Sequence, residues 1–174
     1  MPEPPAILTG GLRALCTLLL LLIAACSGSA TKPEVGRPAP DFSVTTLDGS
    51  TLRLSDLRGK VVFVNLWATW CPPCREEMPS MVRFYEAFKA QGVEIIAVSE
   101  DKDPEALRRF VAAQRIPFPV GLDPDKKIYT LYRATGVPET HLLNKKGVIE
   151  VSRIGPFDWT APAVLTTVRE LLSQ

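Results

Sequence analysis

The segment "VVFVNLWA", residues 61–68, constrains this chain more than any other. It is apolar at nearly every position and rich in β-branched side chains, which predicts a strand covered on both faces. Such a strand needs helices packed above and below it, and the flanking sequence supplies them. "DFSVTTLDGSTLRLSDLRGK" (41–60) alternates apolar and polar residues about Asp48 and Gly49, predicting a β-hairpin. Helical spacing runs from Pro72 to about Ala90, and "VEIIAVSE" (93–100) repeats the buried-strand pattern. "DPEALRRFVAAQ" predicts a helix capped by Asp103, with Pro104 in its first turn. "FPVGLD" (118–123) reads as short extended chain and "DKKIYTLYRA" (125–134) as a helix. "ETHLLN" and "VIEVSRI", joined by a "KKG" turn, form a second hairpin before a closing helix from about 160 to 173. The expectation is an α/β domain over 38–174, with a mixed central sheet flanked by helices.

The 174 residues carry a net charge of +1 without a Lys/Arg run, so nothing points to nucleic acid. The four cysteines separate by position. Cys16 and Cys26 lie in an N-terminal segment where Arg13 precedes the apolar run "ALCTLLLLLIAA". That run, about 12 residues, suits the core of a secretory signal and is shorter than the ~20 that span a bilayer. Its end, "IAAC" at 23–26, resembles a bacterial lipobox, with Cys26 as the lipidated residue. An ordinary signal peptide or an uncleaved anchor is the alternative. The organisation expected is a signal over 1–25, a lipidated tether over 26–37, and an exported domain held at a bacterial membrane, facing the periplasm or the cell exterior. Outside the cytosol disulfides persist, and after processing only Cys71 and Cys74 would remain as thiols.

Cys71 and Cys74 follow the buried strand directly, in "TWCPPCREEMP". At about 100° per residue, Met78, Met81, Tyr85 and Phe88 fall within about 40° of Cys74, which should therefore be buried. Cys71 sits at the helix N-terminus, where unpaired backbone N–H groups and the helix dipole favour a thiolate. An exposed, acidified thiol beside a buried one is what thiol–disulfide exchange requires. Pro72 and Pro73 stiffen the pair. Glu77 falls about 60° from Cys74, and Glu76 on the opposite, wet side. Glu77 should have a raised pKa and exchange protons with Cys74, or else reach out to solvent. Pro79 is expected to kink the helix. Zinc would need further ligands, and the sole histidine, His141, stands alone on an apolar strand. A plain structural disulfide closing so small a loop would add little stability.

"VVFVNLWATWCPPCREEMP" together with "TGVPET" (135–140) resembles the thioredoxin superfamily, most closely the exported TlpA/ResA/CcmG-type thiol–disulfide oxidoreductases. The resemblance implies a thioredoxin-like fold with an N-terminal β-hairpin extension and a central α/β insertion. It implies Cys71 as the attacking and Cys74 as the resolving cysteine, with Glu77 as the active-site glutamate. Trp70, Pro72, Pro73, Val137, Pro138 and Glu139 form the implied substrate-contacting set. By residues alone Val137–Pro138 reads as a trans turn; the resemblance implies a cis-proline. Asn65 stands where cytosolic thioredoxins carry a buried aspartate, which leaves proton transfer to Glu77. His141 replaces an aromatic or aliphatic residue and reads as part of the strand. Implied partners are disulfide-containing exported proteins, with apocytochrome c a candidate, and a membrane electron donor of the DsbD/CcdA type; no cofactor or metal is implied. Two competing classes are a Sco-like copper chaperone and a peroxiredoxin-like peroxidase. The first uses three residues between its cysteines and the second a Thr-x-x-Cys context, and this chain has neither.

Overall fold

The computed structural model describes residues 33–174. Cys16, Cys26 and the expected signal lie outside the described residues. Seven strands form one sheet in the order β2-β1-β5-β4-β3-β6-β7. In chain order these are β1 (Ser43–Thr46), β2 (Thr51–Arg53), β3 (Val61–Trp67), β4 (Val93–Ser99), β5 (Val120–Leu122), β6 (Glu139–Leu143) and β7 (Ile149–Ile154). The helices are α1 (Pro72–Phe88), α2 (Pro104–Gln114), α3 (Lys127–Leu131) and α4 (Pro162–Ser173).

β3 is the central strand. It runs parallel to β4, pairing Val61 with Val93 and Trp67 with Ser99, and antiparallel to β6, pairing Asn65 with Thr140 and Leu66 with Glu139. Every one of its side chains is buried. Because strand side chains alternate, Phe63 and Trp67 pack with Met78, Met81, Phe84 and Trp159 on one face. Val62, Val64 and Leu66 pack with Phe42, Ile128 and Tyr132 on the other. Asn65 is the polar member of the first face, and it marks the site.

The edges differ in detail from expectation. The hairpin is confined to Ser43–Arg53, and Leu54–Leu57 turns into a 3-10 helix. Asp41 holds that turn by accepting from the Ser55 N–H at 2.9 Å. α3 is shorter than the predicted 125–134. Asp123 accepts from the N–H groups of Lys127, Ile128 and Tyr129 and so starts the helix after Lys126, which is left-handed at φ 57°. Gly121 in β5 leaves room for the hairpin, since a Cβ there would stand 2.4 Å from Val44 Cγ2. Ahead of the predicted domain start at 38, the Gly36 N–H already donates to Ile149 O at 2.8 Å. Pro79, expected to kink the helix, lies inside α1, which is assigned as one helix from Pro72 to Phe88. No helix among the described residues is long and apolar enough to cross a membrane.

Candidate active site

β3 delivers the chain to the N-terminus of α1 through Ala68, Thr69 and Trp70. Buried Asp101, just past β4, holds this turn: its carboxylate accepts from Thr69 N at 2.9 Å, Thr69 Oγ1 at 2.6 Å and Ser99 Oγ at 2.6 Å. Cys71 then caps α1, its sulfur accepting from the Cys74 N–H at 3.2 Å. The same N–H would stabilise a thiolate on Cys71 once the couple is reduced. Cys71 and Cys74 are joined as a disulfide with Cα atoms 5.3 Å apart.

The expected contrast in exposure between the two sulfurs is absent in this disulfide state. Cys71 is 3% exposed and Cys74 0%. The covering comes from a distant loop: Val137 O lies 3.5 Å from Cys71 Sγ, where it could accept from the thiol of the reduced form. The Val137–Pro138 bond is cis, as the resemblance implied. Trp70 stands 61% exposed beside the pair, Pro72 is exposed, and Pro73 and Val137 are half-buried. Glu139, expected among the substrate contacts, turns its side chain inward and is 6% exposed.

Glu77 lies one turn beyond Cys74 and is buried, whereas Glu76 faces solvent. Burial raises the Glu77 pKa from 4.5 to about 7, outweighing donors that favour the charged form. Those donors are Asn65 Nδ2 at 3.1 Å to Oε1 and the Phe157 N–H at 3.2 Å to Oε2. The Trp159 indole is a lesser influence in the same direction. Its N–H closes no hydrogen bond, so it acts as a nearby dipole rather than a ligand of the carboxylate. Asn65 also donates to Thr140 Oγ1 at 2.8 Å, which ties Glu77 to β6. Ser80 Oγ donates to Glu77 O at 2.8 Å and accepts from Trp159 N at 3.2 Å, docking the β7–α4 loop on α1. Glu77 lines a cleft of about 360 Å³ with Ser80, Arg83, Phe157 and Asp158, a path by which a proton can reach water. A carboxyl that titrates near neutrality beside a dithiol is suited to general acid–base work.

Residues 35–152 match the AhpC/TSA family. The chain belongs to that family. Its thioredoxin-like branch is indicated by ResA, the thiol–disulfide oxidoreductase of Bacillus anthracis, 42% identical over 124 residues that span 71% of this chain and 72% of that protein. The fold matches a solved Chlorobium tepidum protein described as thiol:disulfide interchange protein DsbE, at 30% identity and TM-score 0.74, covering 80% of this chain and 98% of that one. StoA of Bacillus subtilis is similar at 27% identity and TM-score 0.60, covering 78% and 96%. This chain is accordingly a thiol–disulfide oxidoreductase of ResA/DsbE type with a thioredoxin-like fold.

Of the residues singled out from the sequence, Cys71 and Cys74 are joined, Glu77 is buried one turn beyond them, and Pro138 follows the carbonyl that faces Cys71. Sequence reasoning missed Asp101, Thr140, Ser80, Phe157 and Trp159 as parts of the site. A polar "SED" at the end of a buried strand is the one local signal that could have pointed to Asp101.

Proposed function

We propose that the protein, anchored at a bacterial membrane through a lipid on Cys26, reduces disulfides of exported proteins. The observation that carries this reading is the buried Glu77, with a pKa of about 7, one turn from the resolving cysteine. In the first step the Cys71 thiolate attacks one sulfur of the substrate disulfide. A mixed disulfide forms, and the substrate's other sulfur leaves as thiolate. Cys74 then gives its proton to Glu77 and attacks Cys71 Sγ, so the Cys71–substrate bond breaks as Cys71–Cys74 forms. Two electrons pass to the substrate, which departs with two thiols. Electrons from a membrane donor of the DsbD/CcdA type reverse the sequence and restore the dithiol. Trp70, Pro72, Pro73 and the Val137–Pro138 backbone frame the substrate's extended segment. Apocytochrome c, whose cysteines must be thiols before haem is attached, is the proposed substrate class.

The test is trapping. C74S should accumulate mixed disulfides through Cys71 with exported proteins, apocytochrome c among them, and C71S/C74S none; a folded C74S that captures nothing would refute the reading. A reduction potential near the thioredoxin value, on the order of −270 mV, supports a reductase, whereas one near about −120 mV marks an oxidant. C26A should move the protein from the membrane fraction to the soluble exported fraction.

A further inference from the structure

β6 carries two sets of side chains. Thr140 faces Asn65 and Glu77, whereas Glu139 and His141 point to the opposite layer, beside Val64, Leu66 and Tyr132. Both are buried, Glu139 at 6% and His141 at 1% exposed. His141 Nε2 lies 3.2 Å from Glu139 Oε1, too poorly aligned for a hydrogen bond but close as a charge pair. On its other side, Nδ1 is 2.6 Å from Ser152 Oγ on β7. The ring rests against Tyr132, with centroids 5.1 Å apart. Glu139 Oε2 has no hydrogen-bond partner. A carboxylate in that position is costly unless its charge is balanced.

Among the described residues, no other basic side chain is recorded in an ion pair with it. Tyr132, held neutral by burial, uses its hydroxyl to donate to Pro40 O, and the nearby Asp41 and Arg58 act on that phenol. Beyond Val137, Glu100 is paired with Lys126 at 3.0 Å and Asp123 is spent on capping α3. Among the described residues, the His141 ring is the basic group that stands against Glu139. Glu139 adjoins cis-Pro138, whose carbonyl accepts from the Gly155 N–H at 2.9 Å, and lies two residues from Val137, whose carbonyl faces Cys71.

We propose that His141 is a positioning residue that balances the buried Glu139 charge and thereby holds the Val137–Pro138 loop where the substrate's disulfide segment docks. This rests on the reductase reading above. Without the imidazole, the carboxylate either swings toward water, dragging the loop, or remains as an unbalanced charge beside cis-Pro138.

A charge-balancing role and a space-filling role separate cleanly. In H141F the ring still packs on Tyr132, but the charge partner is gone. With a peptide disulfide as substrate, H141F should raise KM about fivefold or more while kcat stays within about twofold. E139Q/H141F removes the stranded charge and should return KM to within about twofold of wild type. An H141F enzyme with wild-type KM overturns the proposal, and so does a raised KM that E139Q fails to correct. If H141F does not fold, recovery of folding and KM in E139Q/H141F supports the proposal. If neither folds, H141Q and E139Q/H141Q are compared on the same criterion. Wild-type protein that reduces no disulfide at all would instead defeat the reductase reading, a result distinct from any of these.

Discussion

Two buried carboxylates flank the disulfide, and they have opposite surroundings. Asp101 receives hydrogen bonds from Thr69 N, Thr69 Oγ1 and Ser99 Oγ, which make it a strut for the turn before Cys71. Glu77 has two aligned donors, an apolar stripe around it and a cleft beside it. Three donors on one carboxylate make it a structural anchor; burial that outweighs two donors raises the Glu77 pKa to about 7. The redox site uses one of each.

The largest effect should come from breaking the strut. D101A leaves three donors near the turn without their acceptor and should lose about 4 kcal/mol in denaturant unfolding. Its disulfide-exchange rate should fall as well, because the turn sets Cys71 at the helix N-terminus.

E77Q tests the other carboxylate and should have the opposite sign. Folded Glu77 keeps its proton up to about pH 7, whereas the unfolded chain releases it near 4.5. Between those values the unfolded chain binds fewer protons, so stability falls as pH rises. Wild type should lose up to about 3 kcal/mol between pH 4 and pH 8 through this group, and E77Q should not. The same variant should slow release of the mixed disulfide about 10²-fold at neutral pH, read by single-turnover kinetics. A pH profile unchanged by E77Q would remove Glu77 from the chemistry and leave the two carboxylates alike.

S80A is the mildest probe. Losing the hydrogen bonds to Glu77 O and Trp159 N should cost about 1 kcal/mol. Because it loosens the loop whose Phe157 N–H donates to Glu77, it should also shift the acidic limb of the activity–pH profile slightly upward, as removal of a donor favours the protonated form of this base.

Legibility in the sequence followed contact range. The helical wheel alone placed Glu77 beside Cys74 and Glu76 in water, because helix periodicity makes i and i+3 neighbours wherever the helix lies. Buried β3 was equally plain from its run of apolar residues. Asp101, by contrast, meets Thr69 across 32 residues, Asn65 meets Thr140 across 75, and Phe157 meets Glu77 across 80. No periodicity encodes those pairings. Cys71 likewise loses its expected exposure to a carbonyl 66 residues away. His141 read as an ordinary strand residue because its partner Glu139 is visible only when strand alternation is combined with burial.

The chain's own order of residues determined the dithiol, the helix that opens on it, the buried strand that delivers it, and the carboxyl that rides one turn behind. These depend on bonds and repeats within a few residues. Tertiary packing decided how that carboxyl is solvated, what shields the Cys71 sulfur and what holds the turn, because desolvation and hydrogen-bond partnership belong to the space around an atom, and that space is built by strands and loops far away in the chain.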